Sequence, residues 1–149
     1  MDFPARFKDN AESSTGLLFI RAFNKWQIKQ KNALLALGIT LPQFLVITTL
    51  SYLRQSDEFV TQAKIAQMAD MDVMTVSQIV RGLEAKGILK RSPNPNDTRA
   101  NAVELLAKGG EIFKQAFPLV VKNDDDFFGL LGEKEAMLRT LLSQMLQRA

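Results

Sequence analysis

The 149-residue chain contains no cysteine and no histidine. The first absence excludes disulfides, thiolate metal sites, cysteine nucleophiles and thiol-based redox sensing. The second removes the commonest general base and the commonest metal ligand. An enzyme made from this chain would have to run on carboxylates, lysines and hydroxyls. The only conspicuous acidic run is Asp124-Asp125-Asp126. Three consecutive helical positions point in different directions, so they do not converge on one cation without another segment. The expectation is a protein that is not an enzyme and needs no cofactor or metal. No apolar run approaches the ~20 residues that cross a bilayer. Residues 1–12 are polar and carry Asp2, Asp9 and Glu12, unlike a signal peptide. These features predict a cytoplasmic protein with no membrane partner.

The composition is that of an ordinary domain, with 46% hydrophobic and 23% charged residues. At this length one domain with its own core is expected. The net charge is +3, distributed as +2 over residues 1–58, +2 over 59–108 and −1 over 109–149. The first two thirds suit a polyanionic partner better than the last.

Helical signals dominate. Residues 14–37 form a long apolar-sided helix stopped by Gly38. Thr40-Leu41-Pro42-Gln43 reads as a capping box with proline in the first turn. The helix that follows is largely buried. Thr61 caps a short helix over residues 61–68, and Asp72 caps another that runs to Lys86, with Gly87 past its end. Two short strands are expected at 88–91 and 101–106, joined by a turn-rich loop with two prolines. A helix from about Lys108 bends at Pro118, Gly129 and Gly132 break it, and residues 133–148 form the last helix. The fold class is therefore mainly α. It is a winged helix-turn-helix lobe over residues 41–106 within a single domain, flanked by long N- and C-terminal helices at 14–37 and 108–149.

On the helix after Asp72, Val76, Ile79, Val80 and Leu83 share one face, the i, i+3, i+4, i+7 pattern of a helix pressed on a core. The opposite face carries Met74, Gln78, Arg81 and Ala85, flanked by Ser77 and Gly82. Such a slender, mostly polar face suits the major groove. Gln78 matches adenine and Arg81 matches guanine, while Thr75 and Ser77 match phosphate oxygens. A solvated amphipathic helix would show the same pattern. The loop tilts the reading toward DNA: Arg99 near its tip suits a minor groove, Lys90 and Arg91 lie at its base, and Asp97 is placed to hold an arginine.

Residues 61–66, Met74-Thr75-Val76-Ser77-Gln78-Ile79-Val80, Leu83-Glu84-Ala85-Lys86-Gly87-Ile88-Leu89, Arg91 and Asp97-Thr98-Arg99-Ala100 together resemble the winged helix-turn-helix of the MarR family of bacterial transcriptional regulators. The likeness extends to Leu41-Pro42-Gln43-Phe44 and to Phe127-Phe128-Gly129-Leu130-Leu131 with the last helix, about residues 15–147 in all. Two departures stand out. Leu106-Ala107-Lys108-Gly109 lacks the usual threonine before the glycine, and Thr98 replaces a usually basic wing residue.

The resemblance implies a homodimer that binds a pseudo-palindromic double-stranded DNA operator, often as a repressor released by a small molecule. Met137, Leu138, Leu141, Leu142 and Met145 form an apolar stripe suited to the dimer contact. In the family, effectors sit between the DNA-binding lobe and the helical arm. Here that implies Arg21, Lys25, Trp26, Gln43, Ile47 and Tyr52 as pocket candidates for a small aromatic or lipophilic effector. The competing class is a winged-helix module that docks a protein, which would favour an apolar patch in place of the polar helix face.

Overall fold

The structure, a computed structural model, describes residues 14–148. Residues 1–12, read above as polar, lie outside the described residues. The elements are α1 (Thr15–Leu35), α2 (Leu41–Leu53), α3 (Gln62–Ala69), α4 (Val73–Ala85), β1 (Leu89–Asn94), β2 (Asp97–Leu105), α5 (Ala107–Phe128), a 3₁₀ segment (Gly129–Lys134) and α6 (Glu135–Arg148). The chain divides into two compact units. One holds residues 31–119; the other holds residues 1–30 and 120–149.

In the 31–119 unit, three helix starts follow from local backbone chemistry. Thr40 accepts the Gln43 N–H while the Gln43 side chain accepts the Thr40 N–H, so the capping box forms with Pro42 in the first turn. Thr61 accepts from Lys64, and Asp72 accepts from both Met74 and Thr75. Each cap satisfies amides that a helix start leaves without a partner. Ile47, Leu50, Ile65, Val76, Val80, Leu83 and Leu89 are fully or almost fully buried and make the core of this unit. Of the α4 face assigned to the core, Ile79 is half-buried; Val76, Val80 and Leu83 are buried.

The hairpin departs from the expected short strands and long loop. Its strands extend to Asn94 and Asp97, leaving a two-residue connection, Pro95-Asn96. The register runs from Leu89↔Leu105 to Pro93↔Asn101 and then jumps to Asn94↔Asp97. Residues 98–100 therefore bulge from β2 without partners on β1. The prolines are tolerated because Pro93 sits at the register shift and Pro95 in the turn. Val103 also donates its N–H to the Val60 carbonyl at 2.7 Å, tying the wing to the segment before α3.

The base of the wing meets the start of α5 at Gly109. A Cβ built there collides with the Ile88 carbonyl oxygen and stands 2.6 Å from Leu105 Cδ1. Glycine inside a helix ordinarily costs up to about 1 kcal/mol relative to alanine. Gly109→Ala should nevertheless destabilise this unit, by about 1–3 kcal/mol, because backbone must move to admit the methyl. Denaturant unfolding gives the sign; a stabilised variant would mean that the backbone there relaxes freely.

The unit of residues 1–30 and 120–149 is organised by a polar cluster. Asp124 Oδ1 accepts from Trp26 Nε1 and from Gln30 Nε2, both at 2.7 Å. Gln30 also donates to the Val120 carbonyl, and Asn123 Nδ2 donates to Gln30 Oε1 at 3.3 Å. Gln30 is fully buried, so these bonds offset its loss of water. The acidic run is thus divided in its uses: Asp124 braces α1, and Asp126 pairs with Lys122 at 2.8 Å. Among the described residues no group of three or more acidic side chains is placed to hold a metal ion. No helix of the described residues is long and apolar enough to cross a membrane.

Candidate nucleic-acid interface

The outward side of α4 is built by the same pattern that buries its inner side. With successive residues about 100° apart, Met74, Gln78, Arg81 and Ala85 fall within roughly 60° of one another. All four are exposed. Ser77 and Gly82 flank them and are half-buried. Thr75, the third residue of α4, is exposed, and its N–H is held by Asp72 at 3.1 Å. Among the described residues, Arg81 forms no salt bridge.

Arg99 stands in the β2 bulge and is exposed. It forms no salt bridge among the described residues. Asp97 does hold Arg99, but not by its guanidinium: Asp97 Oδ1 accepts the Arg99 backbone N–H at 3.0 Å. The aspartate shapes the bulge and leaves the arginine side chain free of it.

The two basic residues at the wing base have partners inside the chain. Lys90 pairs with Glu104, directly opposite it in the hairpin, at 3.0 Å. Arg91 is clamped by Glu84 of α4. Its Nε and a terminal guanidinium nitrogen donate to Oε2 at 2.9 and 2.6 Å, and its backbone N–H donates to Oε1 at 3.0 Å. Arg91 therefore locks the wing to α4. The role of Glu84 is hidden in the sequence, since its partner lies seven residues away across a turn.

The neighbouring residues complete the lock. Lys86 Nζ donates to the Gly38 carbonyl and to Gln43 Oε1. Lys108 Nζ donates to the Lys86 carbonyl at 2.6 Å. Gly87 takes φ +66°, a left-handed conformation that suits glycine.

The guanidinium of Arg91, and then its backbone N–H, hold the Glu84 carboxyl below the usual glutamate range. A depressed pKa means that the clamp's contribution is full above the ordinary glutamate value, about 4.3. It is lost as pH falls through the lower folded value. The Arg91 Nε–H resonance should stay protected from exchange at neutral pH and lose protection only in that acid window. Glu84→Gln should remove the acid step, and a clamp that opens near neutrality would contradict the pairing.

The six effector candidates lie on two helices. Arg21 and Lys25 are exposed on α1, and Trp26 is half-buried there with its N–H on Asp124. On α2, Tyr52 is exposed, whereas Ile47 is fully buried and has no surface to offer a ligand. Gln43 is half-buried, and its oxygen serves both Thr40 and Lys86. α2 is apolar nearly all round, so periodicity did not separate Ile47 from Tyr52. The unit containing Trp26 has an apolar pocket of about 230 Å³. Phe19, Phe23, Phe127, Phe128, Leu138 and Leu142 line it with Trp26. None of the four phenylalanines is among the six residues expected to line a pocket.

Residues 39–100 match the family model described as the MarR family. The chain is 37% identical over 141 residues to YdcH of Bacillus subtilis, described as an uncharacterized HTH-type transcriptional regulator, covering 95% of each protein. A crystal structure of a mutant MarR from E. coli complexed with operator DNA is similar, with TM-score 0.78 and 27% identity, over 88% of this chain and 92% of that one. The fold is shared too with a complex of S. aureus MepR and DNA, at TM-score 0.80 and 23% identity over 92% and 97% of the two chains. A capped α4 carrying a polar outer strip, a clamped two-stranded wing and this level of identity lead to one assignment: the chain belongs to the MarR family of winged helix-turn-helix transcriptional regulators.

Proposed function

We propose that the chain binds a pseudo-palindromic operator as a homodimer in the cytoplasm and represses transcription until a small aromatic or lipophilic molecule releases it. The observation that carries this reading is the outer strip of α4. Gln78 and Arg81 are exposed on a helix whose other face is buried, and Arg99 stands on a separate exposed bulge. Amide and guanidinium forks suit adenine and guanine edges in a major groove, and an arginine on a projecting bulge suits the minor groove. The likeness to an E. coli MarR complexed with operator DNA supports it. Phosphate contacts fall to Thr75 and Ser77. Lys90 and Arg91, each paired within the chain, serve chiefly to set the wing.

The release step is supported by the apolar pocket beside Trp26. Arg21 and Lys25 are cations available to an acidic group on the effector. A protein-docking module is the weaker reading, because the outer strip of α4 is dominated by Gln78 and Arg81 rather than by a continuous apolar patch. The two readings differ in salt dependence, since binding to DNA falls steeply as counterions are restored.

The decisive experiment selects bound duplexes from a random pool and compares three variants on the recovered operator. Gln78→Ala and Arg81→Ala should lower affinity and relax sequence preference, by about 1–3 kcal/mol for each base no longer read. Thr75→Ala should weaken specific and non-specific duplexes alike. An equal fall on all duplexes for all three variants would remove the base-reading assignment.

A further inference from the structure

We infer that Met74 reads the 5-methyl group of a thymine, so that each half-site carries one thymine at a position fixed by this side chain. The inference rests on the placement of α4 in a major groove proposed above, and adds to it the identity of one base and the means of recognising it.

Met74 is 69% exposed although it is a large apolar residue in the first turn of a regular helix. Among the described residues it finds no shelter, so its apolarity serves no core there. Its backbone is nonetheless fixed, because its N–H donates to Asp72 Oδ1 at 2.8 Å. The side chain leaves a pinned helix start on the same strip as Gln78 and Arg81. Val73 beside it is also half-exposed, which makes this end of the helix the apolar end of the interface.

A thioether has nothing to offer a phosphate and no strong donor for a base edge. The apolar group that base edges present in the major groove is the thymine 5-methyl. Contact removes both the methyl and the methionine tip from water, and the unbranched methionine adapts its shape to the groove wall. Gln78 follows one helical turn later, about 6 Å along the axis. Base steps are about 3.4 Å, so the thymine should fall within about two base pairs of the position that Gln78 sets.

The test uses the duplex recovered by selection, together with copies in which each thymine in turn is replaced by deoxyuridine. Hydrogen bonding is kept and one methyl is removed. At one position per half-site the wild-type chain should lose about fourfold in affinity, the worth of one buried methyl. The loss should vanish in Met74→Ala and persist in Met74→Leu, which keeps an apolar side chain of similar reach. Both variants alter an exposed side chain, so their thermal melts should match the wild type.

The inference is overturned if no deoxyuridine weakens the wild type, or if Met74→Ala is as sensitive to it as the wild type. Gln78→Ala on the same duplex keeps the two levels apart. If it loses affinity while every deoxyuridine is silent, α4 reads the groove and Met74 reads no methyl. If it binds as tightly as the wild type, the base-reading placement of α4 fails first and takes the inference with it.

Discussion

Arg99→Ala should weaken operator binding about 5- to 150-fold at physiological salt and leave the melting curve unchanged. The magnitude is that of removing an arginine that reaches into a groove, about 1–3 kcal/mol. The unchanged stability follows from its surroundings. Arg99 sits where β2 bulges away from β1, is exposed, and forms no salt bridge among the described residues. Its removal therefore leaves no buried charge without a partner. Its position is prepared in advance, because Asp97 holds the Arg99 amide and thereby the curvature of the bulge. Each end of the hairpin thus has its own task. Glu84 and Arg91 fasten the base to α4, and the bulge presents a cation that forms no salt bridge among the described residues. Titration at several salt concentrations adds a second readout. The slope of log affinity against log salt should become shallower if the guanidinium displaces a counterion. Wild-type affinity for Arg99→Ala would exclude the wing as a DNA contact, whatever α4 does.

The parts of this architecture that were legible in the sequence are those decided within a few residues. Thr40 with Gln43, Thr61 and Asp72 cap helices because a side-chain oxygen three or fewer positions away meets an amide that has no other partner. The outer strip of α4 was legible because a helix with three buried apolar positions at helical spacing has only one other side. The wing itself was legible as two strands, but not how far those strands run. Its prolines and asparagines read as loop, whereas the strands are held by cross-strand pairing and by the hydrogen bond from Val103 to Val60. The use of Asp124 was hidden for the same reason. Its partner Trp26 is 98 positions away, and the local sequence says only that three consecutive aspartates do not converge on one cation. Gly109 is a further case, since its neighbours Ile88 and Leu105 belong to the two ends of the hairpin.

Leu141→Glu should abolish the proposed dimer at micromolar concentration, and with it most of the affinity for an operator of two half-sites. In the unit of residues 1–30 and 120–149, Gln30 and Val120 are the only buried residues among those described. α6 contributes none. Met137, Leu141 and Met145 are exposed along it, and Leu138 and Leu142 only line the apolar pocket. Apolar surface left in water costs about 25 cal/mol for each Å². A stripe this continuous is therefore expected to meet a second copy, and a two-fold axis would also fix the spacing of two α4 helices on one face of DNA.

A glutamate at 141 would be stripped of water in that interface with no cation assigned to it, a cost of several kcal/mol. In the single chain the same residue is 49% exposed, so the variant should still fold. Ser143→Glu is the control. It adds an equal charge about 160° away around α6, and should leave assembly intact. Failure to engage the second half-site removes avidity of about 10²- to 10⁴-fold, although residue 141 is outside the proposed DNA interface. Sedimentation of the wild-type chain as a monomer at micromolar concentration, with full affinity for the two-half-site operator, would refute the scheme. So would a Leu141→Glu chain that sediments and binds as the wild type does.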